Sequence, residues 1–214
     1  NNIISLDKDK LKYYNEYGAF SADGKEYIIK VNKENRLPTV WSHILANEKF
    51  GTVITENMGG YTWYKNSRLN RVSTWENNPS YDIPSEVIYL KDVENQQKWS
   101  LGLNPRPDNN YYNIIYGFGY CKYIHKSIGV EQELEIFVPK EDGCKIGILN
   151  LKNTTQNRKK LKIASCSNIQ PNSYSLGYYA PRFATVSTTN GLVIDGYNYT
   201  QNEAFHTLTL KIKD

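Results

Sequence analysis

The segment Met58-Gly-Gly-Tyr-Thr-Trp-Tyr-Lys-Asn-Ser-Arg-Leu-Asn-Arg-Val-Ser-Thr-Trp-Glu-Asn-Asn-Pro79 gathers the side chains of this 214-residue chain best suited to binding chemistry. Tyr61, Trp63, Tyr64 and Trp75 offer flat apolar faces with polar edges, a combination that suits a sugar ring. Arg68 and Arg71 carry planar guanidinium forks that can grip a carboxylate or phosphate through paired hydrogen bonds. Gly59 and Gly60 let the backbone turn sharply or approach a ligand closely. The same residues also fit a structural role, in which the aromatics fill a core and the arginines pair with neighbouring acids.

Acid chemistry is the next question. Glu56, Asp82, Glu86 and Asp92 lie near this segment, and an inverting glycosidase needs two carboxyl groups about 6.5 to 9.5 Å apart. The pattern singles out no acid for a raised pKa, and a convex sandwich face rarely supplies a water-excluding pocket. The chain is therefore expected to have no catalytic residue of its own. It contains no G-x-S-x-G elbow, P-loop, dinucleotide fingerprint or EF-hand. His43, His125 and His206 are scattered without an HExxH or HxH pattern, so no metal site is expected. Cys121, Cys144 and Cys166 are odd in number and widely spaced, which argues against a disulfide framework. Each lies in or beside an alternating apolar stretch, so buried free thiols in a reducing, cytoplasmic setting are expected. His125 reads as a satisfied sheet residue, and Trp41 and Trp99 as core anchors.

Composition narrows the class further. Hydrophobic residues make up 39% and aromatics 13%, enough for a core and too much for a disordered chain. No run of ~18 apolar residues occurs, so no helical span or membrane contact is expected. The 26 basic and 22 acidic residues are interspersed, and the one cluster, Arg158, Lys159, Lys160 and Lys162, reads as a solvated turn. No nucleic-acid module accompanies it, so nucleic acid is not an expected partner. Asn153-Thr-Thr and Asn198-Tyr-Thr match the glycosylation pattern at a frequency chance supplies. The chain opens at Asn1 without a methionine or leader, which predicts a processed product or a piece of something longer.

The elements that must position the segment follow a period of two. Residues 26–31, 51–55, 86–90, 120–127 and 130–139 alternate apolar and polar side chains and are rich in β-branched and aromatic types, so they predict strands. Residues 145–151 and 161–165 flank a polar turn-rich stretch and predict a hairpin with a long loop. Asp23-Gly24, Gly59-Gly60, Glu141-Asp-Gly143 and Asn190-Gly191 are turn signals, and the two prolines of Asn104–Asn110 exclude a central strand. Helical periodicity is scarce: Trp41–Asn47 predicts one short turn after Pro38, and Asn2–Tyr14 is ambiguous. The sum is an all-β chain, a large antiparallel β-sandwich with very little helix, in one domain over residues 1–214.

Several runs carry a family resemblance. They are Tyr17-Gly-Ala-Phe-Ser-Ala-Asp-Gly-Lys-Glu-Tyr-Ile-Ile, Pro38-Thr-Val-Trp-Ser-His-Ile-Leu-Ala-Asn and Phe50-Gly-Thr-Val-Ile-Thr-Glu-Asn-Met-Gly-Gly-Tyr-Thr-Trp. Asn66-Ser-Arg-Leu-Asn-Arg-Val-Ser-Thr-Trp-Glu-Asn-Asn-Pro, Glu86-Val-Ile-Tyr-Leu-Lys-Asp and Lys98-Trp-Ser continue in order. Together they resemble the N-terminal β-sandwich (supersandwich) domain of the inverting glycoside phosphorylases. That family includes the cellobiose, chitobiose and laminaribiose phosphorylases, the β-1,2-oligoglucan phosphorylases and the phosphorylase-like region of cyclic β-1,2-glucan synthetase. Ala46-Asn47, Phe50-Gly51 and Tyr61-Thr-Trp63 resemble the β-1,2-glucan branch most. The match runs from about Asn15 to Ser165 and then fades, with Tyr178-Tyr-Ala-Pro-Arg-Phe183 a candidate for the next strand region.

The resemblance implies reversible phosphorolysis of a β-glucosidic bond with inversion, carried out by the parent enzyme. One carboxylic acid protonates the leaving oxygen while inorganic phosphate attacks from the opposite face. In the family the acid and most of the phosphate site belong to a helical toroid, and no residue of this chain matches them. The implied role is an accessory domain of a hexosyl-transferring enzyme, with a helical catalytic domain or partner subunit, or a second copy in a homodimer, as its contact. No cofactor is implied, since phosphate or glucose-1-phosphate is a substrate. Tyr61, Trp63, Arg68, Arg71 and Trp75 become candidates for the substrate entrance or the interface. The alternative is a free-standing carbohydrate-binding module with Tyr61, Trp63 and Trp75 as its stacking platform for a β-glucan oligosaccharide.

Overall fold

The computed structural model describes residues 11–68, 70–78 and 80–168, together with the backbone strands at 183–188, 191–198 and 203–209. In chain order the strands begin with β1 (Leu11–Lys12), β2 (Gly18–Ser21), β3 (Glu26–Val31), β4 (Ser42–Ala46), β5 (Phe50–Thr55) and β6 (Thr62–Tyr64). Next come β7 (Glu86–Asp92), β8 (Lys98–Ser100), β9 (Tyr112–Gly117), β10 (Tyr120–Ser127) and β11 (Val130–Phe137). The series closes with β12 (Ile146–Asn153), β13 (Leu161–Ser167), β14 (Phe183–Thr188), β15 (Gly191–Asn198) and β16 (Glu203–Thr209). No helix occurs among the described residues, and every strand pair is antiparallel, so the chain is all-β.

One sheet has seven strands in the order β1-β2-β3-β9-β10-β11-β12. Its spine shows how alternation becomes a face. In β10, Cys121, Tyr123, His125 and Ser127 are buried, and the residues between them are half-exposed. In β11, Val130, Gln132, Leu134 and Ile136 do the same, in register with β10 through Tyr123↔Leu134 and Cys121↔Ile136. On the outer face Lys122 reaches Glu135 at 3.1 Å and Lys126 reaches Glu131 at 3.1 Å, cross-strand pairs of the usual modest value. Two three-stranded sheets, β4-β5-β6 and β13-β7-β8, supply the opposing layer.

The layers meet in one apolar cluster. Ile29, Val31, Tyr112, Ile114 and Leu134 of the large sheet pack with Leu45, Ile54 and Met58 and with Leu90, Trp99, Leu101 and Leu103. Burial of this kind, at about 25 cal/mol per Å² of apolar surface, is what holds the layers together. Buried polar groups are tied across the gap rather than abandoned. Trp99 Nε1 donates to Gln132 Oε1 at 2.8 Å, Gln132 Nε2 to the Leu101 carbonyl at 3.0 Å, and Tyr123 OH to the Thr55 carbonyl at 2.6 Å. A third three-stranded sheet, β14-β15-β16, is formed by the C-terminal strands.

Several sequence expectations change. Trp41–Asn47 is no helical turn: Ser42–Ala46 is β4, paired with β5 through Ile44↔Val53. The segments around 145–151 and 161–165 form no hairpin with each other. Ile146–Asn153 adds to β11 as the edge of the large sheet, and Leu161–Ser167 pairs with β7. Of the three thiols only Cys121 is buried, while Cys144 and Cys166 are exposed because they sit before β12 and on the open face of β13. Residues 1–10, Tyr178–Arg182 and Asn190, on which parts of the sequence reading fall, lie outside the described residues.

Candidate functional site

The motif segment grows out of β5. After Thr55 the chain turns through Glu56–Gly60 and returns as Tyr61 and β6, and the stretch after β6 folds back so that Trp63 bridges Arg71. The Val72 amide donates to the Thr62 carbonyl at 2.8 Å and the Tyr64 amide to the Asn70 carbonyl at 3.1 Å, closing the excursion. Gly51, the β5 partner of Trp63, has no side chain for a reason: a Cβ there would lie 2.3 Å from the indole ring. The ring therefore rests on bare backbone.

The five candidate residues are partly brought together. Tyr61 stacks with Trp75 at a centroid distance of 6.0 Å and 26°, and lies 5.5 Å from Trp63. The Arg71 guanidinium sits 4.0 Å above the Tyr61 ring, within cation–π range, and its Nε donates to the Ser67 carbonyl. Tyr61, Trp63, Arg71 and Trp75 thus form one half-buried cluster whose members hold each other. Arg68 lies on the exposed tip formed by residues 65–68.

Beneath the cluster runs a buried polar network. Asp82, 2% exposed, accepts from Trp75 Nε1 at 3.0 Å, Thr55 Oγ1 at 2.5 Å and Asn57 Nδ2 at 3.2 Å. Asn57 Nδ2 also donates to Glu56 Oε1 at 2.8 Å, and the Trp41 amide donates to Glu56 Oε2 at 3.0 Å. Burial, with the Asp82 charge adding to it, pushes the Glu56 carboxyl up to about 7 against backbone hydrogen bonds and Arg36 that pull it down. A pocket of about 80 Å³ opens beside these acids, bounded by Arg36 and Tyr81. It is small for a sugar site.

The other acids near the motif are committed to cations. Glu86 at the start of β7 accepts from Ser73 Oγ and Thr62 Oγ1, each at 2.8 Å, and pairs with Lys145. Burial alone would raise the Glu86 carboxyl, but the Lys145 ammonium and the two hydroxyls outweigh it and hold it below its ordinary value. Lys145 Nζ also donates to Thr62 Oγ1 at 3.0 Å, so one ammonium joins the entry of β12 to β6 and β7. Asp92 at the far end of β7 accepts from Lys159 at 2.9 Å, and that bond keeps its carboxyl ionised. Of Glu56, Asp82, Glu86 and Asp92, Glu56 and Asp82 are linked to each other through Asn57.

Two features lay outside the motif reading. His125 is fully buried, with Nδ1 2.9 Å from the Tyr111 carbonyl, Nε2 3.1 Å from Asp108 and the Tyr112 ring stacked on it at 3.7 Å. Every polar atom of this imidazole is therefore engaged, as expected for a sheet residue. The second is an aromatic groove of about 360 Å³ at the mouth of β2, β3, β4 and the β9–β10 turn. Trp41 packs against the core cluster with one side and lines this groove as well, whereas Trp99 is 1% exposed and lies wholly in the core. Its aromatics come from positions 20, 27, 41, 116 and 118, so no local spacing signals it. Among the described residues no group of three or more His, Cys, Asp or Glu is arranged to hold a metal, and no helix is long and apolar enough to cross a membrane.

Comparison with known proteins identifies the domain type. Residues 25–175 match the family described as "Glycosyl hydrolase 94, supersandwich domain". The chain is 34% identical over 143 residues to the N,N'-diacetylchitobiose phosphorylase of Vibrio proteolyticus, an alignment covering 65% of this chain and 18% of that enzyme. It is 24% identical over 165 residues to the cyclic beta-(1,2)-glucan synthase NdvB of Rhizobium meliloti (strain 1021), covering 75% of this chain and 6% of that protein. A 3-O-beta-D-glucopyranosyl-beta-D-glucuronide phosphorylase of Paenibacillus borealis is 24% identical over 155 residues, 19% of its length. The chain thus spans under a fifth of each of these relatives, over its sandwich region, and it belongs to the glycosyl hydrolase 94 supersandwich family.

Proposed function

We propose that this chain is the accessory sandwich of a carbohydrate-active enzyme of the glycoside phosphorylase or glucan synthase type. It forms one domain over residues 1–214, acts in the cytoplasm without a cofactor, and docks on a helical catalytic domain or partner subunit. The observation that carries this reading is the construction of the motif segment. It is braced from below by Glu86, Lys145 and Asp82, while residues 65–68 at its tip are exposed. A rigid base under an exposed tip with Arg68 is what an interface or a substrate entrance requires. Its acids are spent on hydrogen bonds and lysines, which suits a supporting part better than a reacting one.

The test is sedimentation velocity of the chain mixed with the helical catalytic domain of a glycoside phosphorylase. The reading predicts a faster-sedimenting complex that Arg68→Ala weakens without lowering the melting temperature. Two independent boundaries, or a complex indifferent to Arg68→Ala and Trp63→Ala, would count against it. A second reading, carbohydrate binding by the chain itself, is favoured by the aromatic groove. The relatives' names describe enzymes of chitobiose, β-1,2-glucan and glucosyl-glucuronide chemistry, all glycans.

A further inference from the structure

We propose that the groove framed by Phe20, Tyr27, Trp41, His43, Tyr116 and Phe118 is a binding site for an uncharged oligosaccharide, a role separate from the Tyr61–Trp75 cluster. This inference rests on the carbohydrate-binding reading above and gives it a location. The groove holds about 360 Å³, within the ~300–1,000 Å³ typical of small-ligand sites.

Its walls are rings fixed by one another. Tyr27 contacts Phe20 edge-to-face at 4.9 Å and Trp41 at 5.9 Å, and His43 stacks on Tyr116 at 4.9 Å. Polar ties lock the frame: Tyr116 OH donates to the Trp41 carbonyl at 2.8 Å, and His43 Nε2 donates to the Gly117 carbonyl at 2.9 Å. A carbonyl can only accept, so the hydrogen sits on Nε2, and burial lowers the His43 pKa and favours the neutral ring. A pre-set aromatic wall loses little entropy when a ligand arrives.

Phe118 is the most exposed of the groove's rings. It is 81% exposed at the tip of the two-residue turn joining β9 to β10, where Gly119 takes the positive φ of 86° that the turn needs. Phe20, 40% exposed on β2, also contributes to the groove lining. Rings leave apolar patches for the CH faces of a pyranose, and Ser42 and Lys25 at the rim offer hydrogen-bond donors. The rim carries one charge of each sign, Lys25 and Glu26, the latter accepting from the Tyr120 hydroxyl, so it shows no excess charge that calls for a charged ligand.

The experiment is calorimetric titration of the chain with neutral β-1,2-, β-1,3- and chito-oligosaccharides, repeated on Phe118→Ala, Phe20→Ala and Trp75→Ala. Phe118→Ala removes an exposed side chain, so its melting temperature should match the parent. The expected result is binding of at least one series, weakened about tenfold or more by Phe118→Ala and by Phe20→Ala and unchanged by Trp75→Ala. Binding lost in Trp75→Ala and intact in both groove variants would overturn the location while leaving carbohydrate binding standing. No binding of any series by the parent chain would overturn both. A sedimentation coefficient lowered by Phe118→Ala, without glycan binding, would assign the groove to a second copy of the chain and also overturn the proposal.

Discussion

Replacing Glu56 by glutamine should remove most of a pH dependence in the stability of this domain. Glu56 is 3% exposed, accepts from the Trp41 amide and Asn57, and shares Asn57 with the buried Asp82. Its carboxyl is held at about 7 instead of 4.5, so the folded state binds this proton more tightly than the unfolded chain. The sign follows: the stabilisation is complete below pH 4.5 and is lost as the pH rises through about 7. At about 1.4 kcal/mol for each tenfold change, the rise from 4.5 to about 7 corresponds to about 3 kcal/mol. For a chain of 214 residues that is roughly 6–12 °C of melting temperature between pH 5 and pH 8. Glutamine keeps one acceptor and puts an amide NH2 donor where the second oxygen was, a cost of about 1 kcal/mol that does not vary with pH. Denaturant unfolding of parent and Glu56→Gln at several pH values measures the difference directly. The variant should gain on the parent from pH 5 to about 7 and keep that difference at pH 8. Parallel curves across that range would show that Glu56 is not held neutral, and the reasoning about its burial would fail.

Four further outcomes follow from particular contacts. Trp99→Ala empties the largest buried side-chain site and strands Gln132, and should cost about 3–5 kcal/mol in chemical denaturation. Lys145→Met leaves the Glu86 carboxylate without its cation. Because both side chains keep some solvent contact, the loss should be about 2 kcal/mol, below the ~3–5 of a fully buried pair. Gly51→Ala would push a Cβ to 2.3 Å from Trp63, so it should shift the indole emission and cost roughly 1–3 kcal/mol. At the acid end, burial opposes ionisation of Asp108, but the His125 contact outweighs it and holds its pKa at about 2. Its stabilisation is complete above pH 3.8 and lost as the pH falls through about 2, so Asp108→Asn should flatten unfolding curves recorded between pH 4 and 2.

Local pattern carried the fold where one residue's neighbours decide its state. The alternation of β10 and β11 is readable because every second side chain enters the core and the two strands share a two-residue turn. It misled at Trp41–Asn47, whose spacing looks helical although its pairing with β5 is what determines it. It misled again at residues 145–167, where a good turn sequence suggests a hairpin. There the real partners, β11 and β7, lie elsewhere in the chain. The motif residues Tyr61, Trp63, Arg71 and Trp75 were legible as a group because one short excursion contains them all. The groove was not, since Phe20, Trp41 and Phe118 meet only after three separate strand pairings have formed.

The central claim is that this sandwich supports or presents and does not itself cleave a glycosidic bond. Incubating the purified chain with glucose-1-phosphate and glycan acceptors, and following phosphate release, tests it most directly. The account predicts a rate no greater than the protein-free control. Sustained release that disappears on replacing Glu56 or Asp82 alone would contradict it.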